Sequence, residues 1–190
     1  MKNKLIYLLY LSTSKIPLIG FLYPNINYIR AKILNLLPNF DIDKNVLILK
    51  NVKISRNSKI KIGSNVSIKE NCVIGGNITI GENTQILANT KIDGSGEVII
   101  GENSHVGRDN DIFSHYHDIS KKEILVNNSK EVFQKTIIGD NVMLFSRVGI
   151  MGGVTIEDNC AIAYGGIVTK DCESNFIYAG IPAKKIGERK

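Results

Sequence analysis

The stretch IGSNVSIKENCVIGGNITIGENTQILANTKI, residues 62–92, decides the fold. Isoleucine falls at 62, 68, 74, 80, 86 and 92. A period of six does not fit the helical repeat but is a multiple of the strand repeat of two, so every marked isoleucine points to the same side. Gly63, Gly75 and Gly81 follow the aliphatic, and Asn65, Asn77 and Asn83 come two residues after those glycines. Gly and Asn tolerate the positive φ that a tight corner demands. Each hexad therefore reads as one short strand and one corner, with Val66 at a second inward position.

Outward from this stretch the rhythm holds with two interruptions. After a two-residue slip it resumes at Ile100, Val106 and Ile112, stops through DISKKEILVNNSKEVFQKT, and restarts at Ile138 through Leu144, Ile150, Ile156, Ile162 and Val168. Ile48, Ile54 and Ile60 form a leading fragment, and Gly101, Gly107, Gly139, Asn103 and Asn141 extend the corner pattern. Three hexads close a coil, coils stack about 4.8 Å apart, and isoleucine lies on isoleucine in a narrow continuous core. About fifteen hexads make roughly five coils, enough for a stable solenoid. A β-sandwich would instead show turn signals at spacings of about 8–12 residues. The expected class is an all-β solenoid.

The ends do not repeat. NINYIRAKILNLLP carries Ile26, Ile29, Ile33 and Leu36 at helical spacing, with Pro24 before it and Pro38 at its end. KLIYLLYL reads as another short helix. Either could cap the first coil, pack on a neighbouring subunit or lie on a membrane surface. The expected organisation is a helical capping segment over 1–45, the solenoid over 46–178 with its loop at 118–136, and a C-terminal tail over 179–190.

Charge is uneven. Residues 1–61 hold eleven Lys/Arg against two acidic residues, and the remainder thirteen against sixteen. A basic front end points to an anionic surface such as the inner face of a membrane. No zinc-finger, RNA-recognition or basic-zipper pattern occurs, so nucleic acid is not expected as a partner. Cys72, Cys160 and Cys172 are odd in number and widely separated, which speaks against a disulfide framework and for a reducing compartment. MKNKLIYLLYLSTSK has a short apolar run with two tyrosines and no A-x-A site, so a cytoplasmic chain is expected rather than a secreted one.

The hexads, the segment DIFSHYHDIS and the run from Ile137 to Ile186, with VTKD followed by AGIPAKKI, resemble the hexapeptide-repeat acyltransferases. The nearest branch looks like the sugar O-acetyltransferases of the galactoside and maltose type and those that modify surface polysaccharides. The resemblance implies a left-handed parallel β-helix with short N-terminal helices and one excursion loop, a homotrimer with sites between subunits, acetyl-CoA as co-substrate, no metal, and a catalytic histidine. The hexads alone would not specify this, because unrelated functions share them.

Acetyl transfer from a thioester to a hydroxyl needs a base for the hydroxyl and donors for the oxyanion, which a neutral imidazole and backbone N–H groups supply. By the family pattern His115 is the better match for the catalytic base and His117 the second candidate. Asp111 or Asp118 could orient the ring, and a backbone carbonyl would serve equally. His105, inside a regular hexad, reads as a surface residue. The resemblance places Ser146, Tyr164, Gly165, Thr169, Lys170 and the Lys184–Lys185 pair by the coenzyme, the lysines as charges for its phosphates. Asp93, Asp111 and Met143 fall on the acceptor side, although Asp93 at the slip equally suits a turn. Against the family pattern, Met143 replaces an aromatic, Phe145 a glycine, Tyr164 an alanine and Gly152 a proline, which points to an acceptor other than galactoside or maltose.

The function expected is O-acetylation of a sugar hydroxyl on a bacterial surface polysaccharide or its precursor. A small xenobiotic or an amino-sugar nucleotide is the alternative acceptor. A zinc site of the γ-carbonic anhydrase kind would need all three histidines to converge, and residues stack at a separation of eighteen whereas these are separated by ten and two.

Overall fold

The computed structural model describes residues 2–14, 26–120, 122 and 125–190; Pro24, Lys121 and the side chain of Ile26 lie outside them. Its strands make a parallel β-solenoid of about seven turns, consistent with the left-handed β-helix that the resemblance implies.

Three ladders of inward aliphatics define three faces. On the first, Ile42, Ile62, Ile80, Ile100, Ile138 and Ile156 are successive partners. On the second the order is Ile48, Ile68, Ile86, Val106, Leu144, Ile162 and Tyr178. On the third it is Ile54, Ile74, Ile92, Ile112, Ile150 and Val168. All of these side chains are buried, and each contributes about 2 kcal/mol by leaving water. The solenoid has more turns than the hexad count predicts because it begins at Phe40–Ile42, ahead of the first regular isoleucine, and runs on to Phe176–Ala179.

The corners divide into two kinds. Between the first and second faces, Asn45, Asn65, Asn83, Asn103, Asn141, Asn159 and Asn175 all take left-handed φ. Between the second and third faces, Asn51, Asn71, Asn89, Asp109, Arg147 and Gly165 do the same. The asparagine amides bond along the stack, Asn45 to Asn65 at 3.2 Å, Asn65 to Asn83 at 3.1 Å and Asn83 to Asn103 at 3.2 Å. The glycines after the aliphatics, Gly75 apart, serve a different purpose from the one expected. Gly81 does not have positive φ, but a Cβ there would stand 2.6 Å from the Glu102 nitrogen of the next coil. Asn77 is likewise not left-handed; Gly76 beside it is, at φ 90°.

The third corner, from the third face back to the first, has no asparagine ladder and takes every change of length. The steps from Ile54 to Ile62 and from Ile92 to Ile100 are each two residues longer than a hexad, and the step from Ile112 to Ile138 contains the whole excursion. That excursion leaves as His115–His117 and returns as Glu131–Phe133, paired antiparallel as a short arm. Its base is sewn to the prism by buried hydroxyls: Ser114 Oγ donates to the Asp93 carbonyl at 2.7 Å and accepts from the Gly96 N–H at 2.8 Å. Thr136 Oγ1 donates to the Phe113 carbonyl at 2.7 Å.

The N-terminal helices, α1 (Lys2–Ser14) and α2 (Ile26–Leu34), cover the first coils. Tyr10 is fully buried and donates to the Val52 carbonyl at 2.6 Å; Tyr7 donates to the Ile54 carbonyl at 2.9 Å. The face of α2 that packs inward differs from the expected stripe. Ile29 and Leu36 are 42% and 65% exposed, while Arg30, Ala31, Ile33, Leu34 and Leu37 are buried. The guanidinium of Arg30 accounts for the rotation, since it donates to the Thr13 carbonyl at 2.6 Å, the Asn27 side chain at 2.8 Å and the Ile48 carbonyl at 3.3 Å. Burial lowers the pKa of this group, a desolvation cost that its hydrogen bonds to neutral acceptors offset in part, and it joins both helices to the second face. At the other end, Lys184–Glu188 pairs antiparallel with Phe176–Ala179, so residues expected as a tail extend the second face as a hairpin.

Candidate active site

His115 sits where the third-face strand Asp111–Phe113 ends and the arm begins. Its ring lies among aromatic neighbours, with the centroids of Phe113 and Phe133 at 6.1 and 6.3 Å. Its Nδ1 is buried without a hydrogen-bond partner among the described residues and faces Asp93 Oδ2 at 3.6 Å. That distance exceeds a hydrogen bond but is within ion-pair reach, and catalytic contacts in ligand-free sites are often this long. The other carboxylate oxygen of Asp93 is fixed by Ser95, through its N–H at 2.9 Å and its Oγ at 2.5 Å. The two-residue slip DGSG thus builds a turn that aims one carboxylate oxygen at an imidazole.

His117 is differently placed. Its ring is 6.4 Å from that of His115, as alternation along the arm requires, but its side chain is 51% exposed against 24% for His115. Its nitrogens face arm residues, Nδ1 at 3.2 Å from Ser129 Oγ and Nε2 at 3.8 Å from Glu131. Asp111 pairs with Lys91 at 3.7 Å across the third face. Asp118 accepts from the Ser120 N–H at 3.0 Å within the arm. Asp93 is thus the carboxylate found 3.6 Å from His115 Nδ1, where the sequence suggested Asp111 or Asp118, or equally a backbone carbonyl.

Two further residues complete this corner. Phe133 is the cross-strand partner of His115. Gly152 lies on the next coil, where a Cβ would stand 2.7 Å from the His115 nitrogen and 2.9 Å from its carbonyl oxygen. A side chain at Gly152 would therefore meet the backbone of the arm. Asp-x-Ser at a slip in the rhythm was the available signal for Asp93; nothing local marks Phe133.

The residues assigned to the coenzyme fall on two edges. Thr169 and Lys170 are exposed on the third corner, following the strand Ile167–Val168. Ser146, Tyr164 and Gly165 lie on the second corner, one face away. There Ser146 Oγ accepts from the Arg108 N–H at 3.2 Å, and the Arg147 guanidinium stands 5.7 Å from the centre of the exposed Tyr164 ring. Gly165 has φ 70° and open space where a Cβ would project. Met143 lies on the second face between His105 and Ala161, away from the His115 corner of the same chain. Lys185 is bonded to Glu173 at 2.5 Å and lies over the Phe176 ring, and that carboxylate raises its pKa. Lys184 is exposed and its ammonium remains the available charge of that pair.

Among the described residues no group of three or more His, Cys, Asp and Glu side chains converges. His105 projects from the second face, not from the arm that holds His115 and His117. All three cysteines are buried, and burial pushes the thiols up, Cys72 to about 11 and Cys172 to about 12, so none is a ready nucleophile.

The bacterial transferase hexapeptide family (six repeats) matches residues 59–94 and 135–170. The galactoside O-acetyltransferase of Escherichia coli (strain K12) is 51% identical over 51 residues, 27% of this chain and 25% of that protein, so the match spans a quarter of the relative's length. Among solved structures, an AntD mutant, an N-acyltransferase from Bacillus cereus in complex with dTDP and coenzyme A, superposes with a TM-score of 0.76 at 26% identity over 84% of this chain and 89% of that one. A maltose O-acetyltransferase from Clostridium difficile 630 gives 0.62 at 26% identity over 85% and 75%.

Proposed function

We propose that this chain, which belongs with the hexapeptide-repeat acyltransferases, is an acetyl-CoA-dependent O-acetyltransferase that uses His115 as general base on a sugar hydroxyl of a surface polysaccharide or its precursor. The observation that carries the reading is the His115 ring, with Nδ1 buried against Asp93. Asp93 favours the proton on Nδ1, which leaves the Nε2 lone pair for the acceptor. His115 Nε2 takes the hydroxyl proton as that oxygen bonds to the thioester carbonyl carbon. The carbon–sulfur bond then breaks, and His115 returns the proton to sulfur, giving an acetyl ester and the free thiol. Thr169 and Lys170, two coils' edges from the arm, and the open Gly165 edge suit an extended, phosphate-bearing donor.

Because the donor residues lie on two edges of one prism, a single chain does not bring them together. A homotrimer in which one copy's second corner lies beside another's third corner would. The test is release of coenzyme A from acetyl-CoA over a panel of cell-surface glycans, comparing the native chain with His115→Ala and His117→Ala. Loss confined to His115→Ala is expected, and equal turnover in all three would remove the assignment. N-acylation of an amino-sugar nucleotide is a second reading, supported by the likeness to the Bacillus cereus N-acyltransferase; an amino sugar in the same panel separates the two.

A further inference from the structure

A groove of about 470 Å³ runs along the outer side of the third face from α1 to the His115 corner. Tyr7 closes its lower end, Lys53, Val73 and Lys91 line its length, and Asp93 and Phe113 form the upper end. Those last two are the residues that flank His115. The groove is therefore continuous with the proposed base and lies on its amino-terminal side, opposite Gly152, Thr169 and Lys170.

Its charge is one-sided. Lys53 and Lys91 occupy one register line with Val73 between them, two strand spacings or roughly 10 Å apart at the backbone, so their flexible stems can close on one ligand. No carboxylate among the described residues pairs with Lys53. Lys91 meets Asp111 at 3.7 Å, but both groups are well exposed, and such a pair holds weakly enough to exchange for a better anion. Asp93 is the one acidic residue lining the groove, and its oxygens are engaged by Ser95 and turned toward His115. Between the lysines, Val73 is 43% exposed, an apolar floor for a sugar ring. A site for a neutral sugar has no use for two exposed lysines on its axis.

We propose, resting on the acetyl-transfer reading, that this groove is the acceptor subsite and that its ligand is a phosphorylated sugar, with the phosphate held by Lys53 and Lys91 and the hydroxyl presented to His115. The phosphate carries about −1.5 to −2 charges, enough to recruit Lys91 from Asp111. Free sugar phosphate, nucleotide diphosphate sugar and lipid-linked diphosphate share this chemistry.

Calorimetric titration of the full chain with glucose, glucose 1-phosphate and uridine diphosphate glucose, with and without coenzyme A, tests this. At least one phosphorylated probe should bind about tenfold tighter than glucose, less so at high salt, and the tighter of the two identifies the source. A lipid-linked source would show as preferential binding to vesicles bearing a polyprenyl diphosphate sugar. Lys53→Glu and Lys91→Glu should each remove the preference, and Lys50→Glu, an exposed lysine outside the groove, should keep it. Equal binding of glucose and every phosphorylated probe, an equal loss in Lys50→Glu, or displacement of the phosphorylated probes by coenzyme A would overturn the proposal. Coenzyme A titrated alone tests the acetyl-transfer reading separately. A failure there sinks the donor assignment without altering the phosphate preference measured in its absence.

Discussion

The first two corners of this prism and the third are made from the same chain under opposite rules. At the first two, a left-handed residue recurs on every coil, mostly asparagine, and amides bond from coil to coil. Such a corner has one length and one conformation, and it propagates. The third corner has Gly76, Glu97 and Gly153 at positive φ, slips of two residues and the arm. It also holds Asp93, His115, Gly152 and Lys170. A rigid stack on two edges lets the third vary without unravelling the core, because the inward ladders on all three faces continue through every slip. Irregularity is confined to where chemistry can be built. The second corner shows the same rule at its C-terminal end: the Asn ladder gives way to Arg147 and Gly165 where Tyr164 and Ser146 project.

That contrast can be broken in a definite order. His115→Ala should lower turnover about a thousandfold while leaving thermal unfolding unchanged, and His117→Ala should remain within a few fold of native. Gly152→Ala should come next. Its Cβ would collide with the backbone of His115, and a displacement of the base by about 1 Å costs roughly a hundredfold in kcat; native kcat in this variant would show that the arm adjusts freely. Asp93→Asn should lower kcat about tenfold, less than in a tightly bonded triad because the contact is 3.6 Å, with KM little changed. A fall in KM-controlled rate alone would return Asp93 to the acceptor-binding role that the sequence suggested.

On the regular corners the expected effects move to stability. Asn83→Ala should cost about 2 kcal/mol, from the left-handed φ of 58° and the lost amide ladder. Asn83→Gly should cost less, and both should keep native kinetics; a kinetic defect would dissolve the distinction between the corners. The smallest effect expected is with pH. Burial raises Cys72 to about 11 and Cys172 to about 12 from an ordinary value near 9. A raised folded pKa means that folding favours the neutral thiol, so this stabilisation is whole below about pH 9 and is lost as pH rises through 11 to 12. Urea unfolding followed from neutral to alkaline pH should show the decline above about pH 9, and a thiol reagent should fail to label the native chain under neutral conditions.

Much of this was legible from one dimension. The positions of Ile62 to Ile92 give the strand period, the inward set and the three-sided coil, since a period of six admits little else. His115 stood out because the rhythm stopped beside it. What failed to show was anything dependent on a partner far along the chain. The stripe of α2 was misplaced because Arg30 is buried by carbonyls of Thr13 and Ile48. Gly63, Gly81, Gly101, Gly107 and Gly139 were read for φ when their need was the approach of the next coil.

Sequence alone determined the prism, because its repeat is local and each rung meets its like. Only the tertiary structure decided which carboxylate lies beside which imidazole. Asp93 and His115 belong to successive coils and are brought together by the stacking of Asp93 on Phe113, and a local pattern carries no record of how far a slip displaces the residue that follows it.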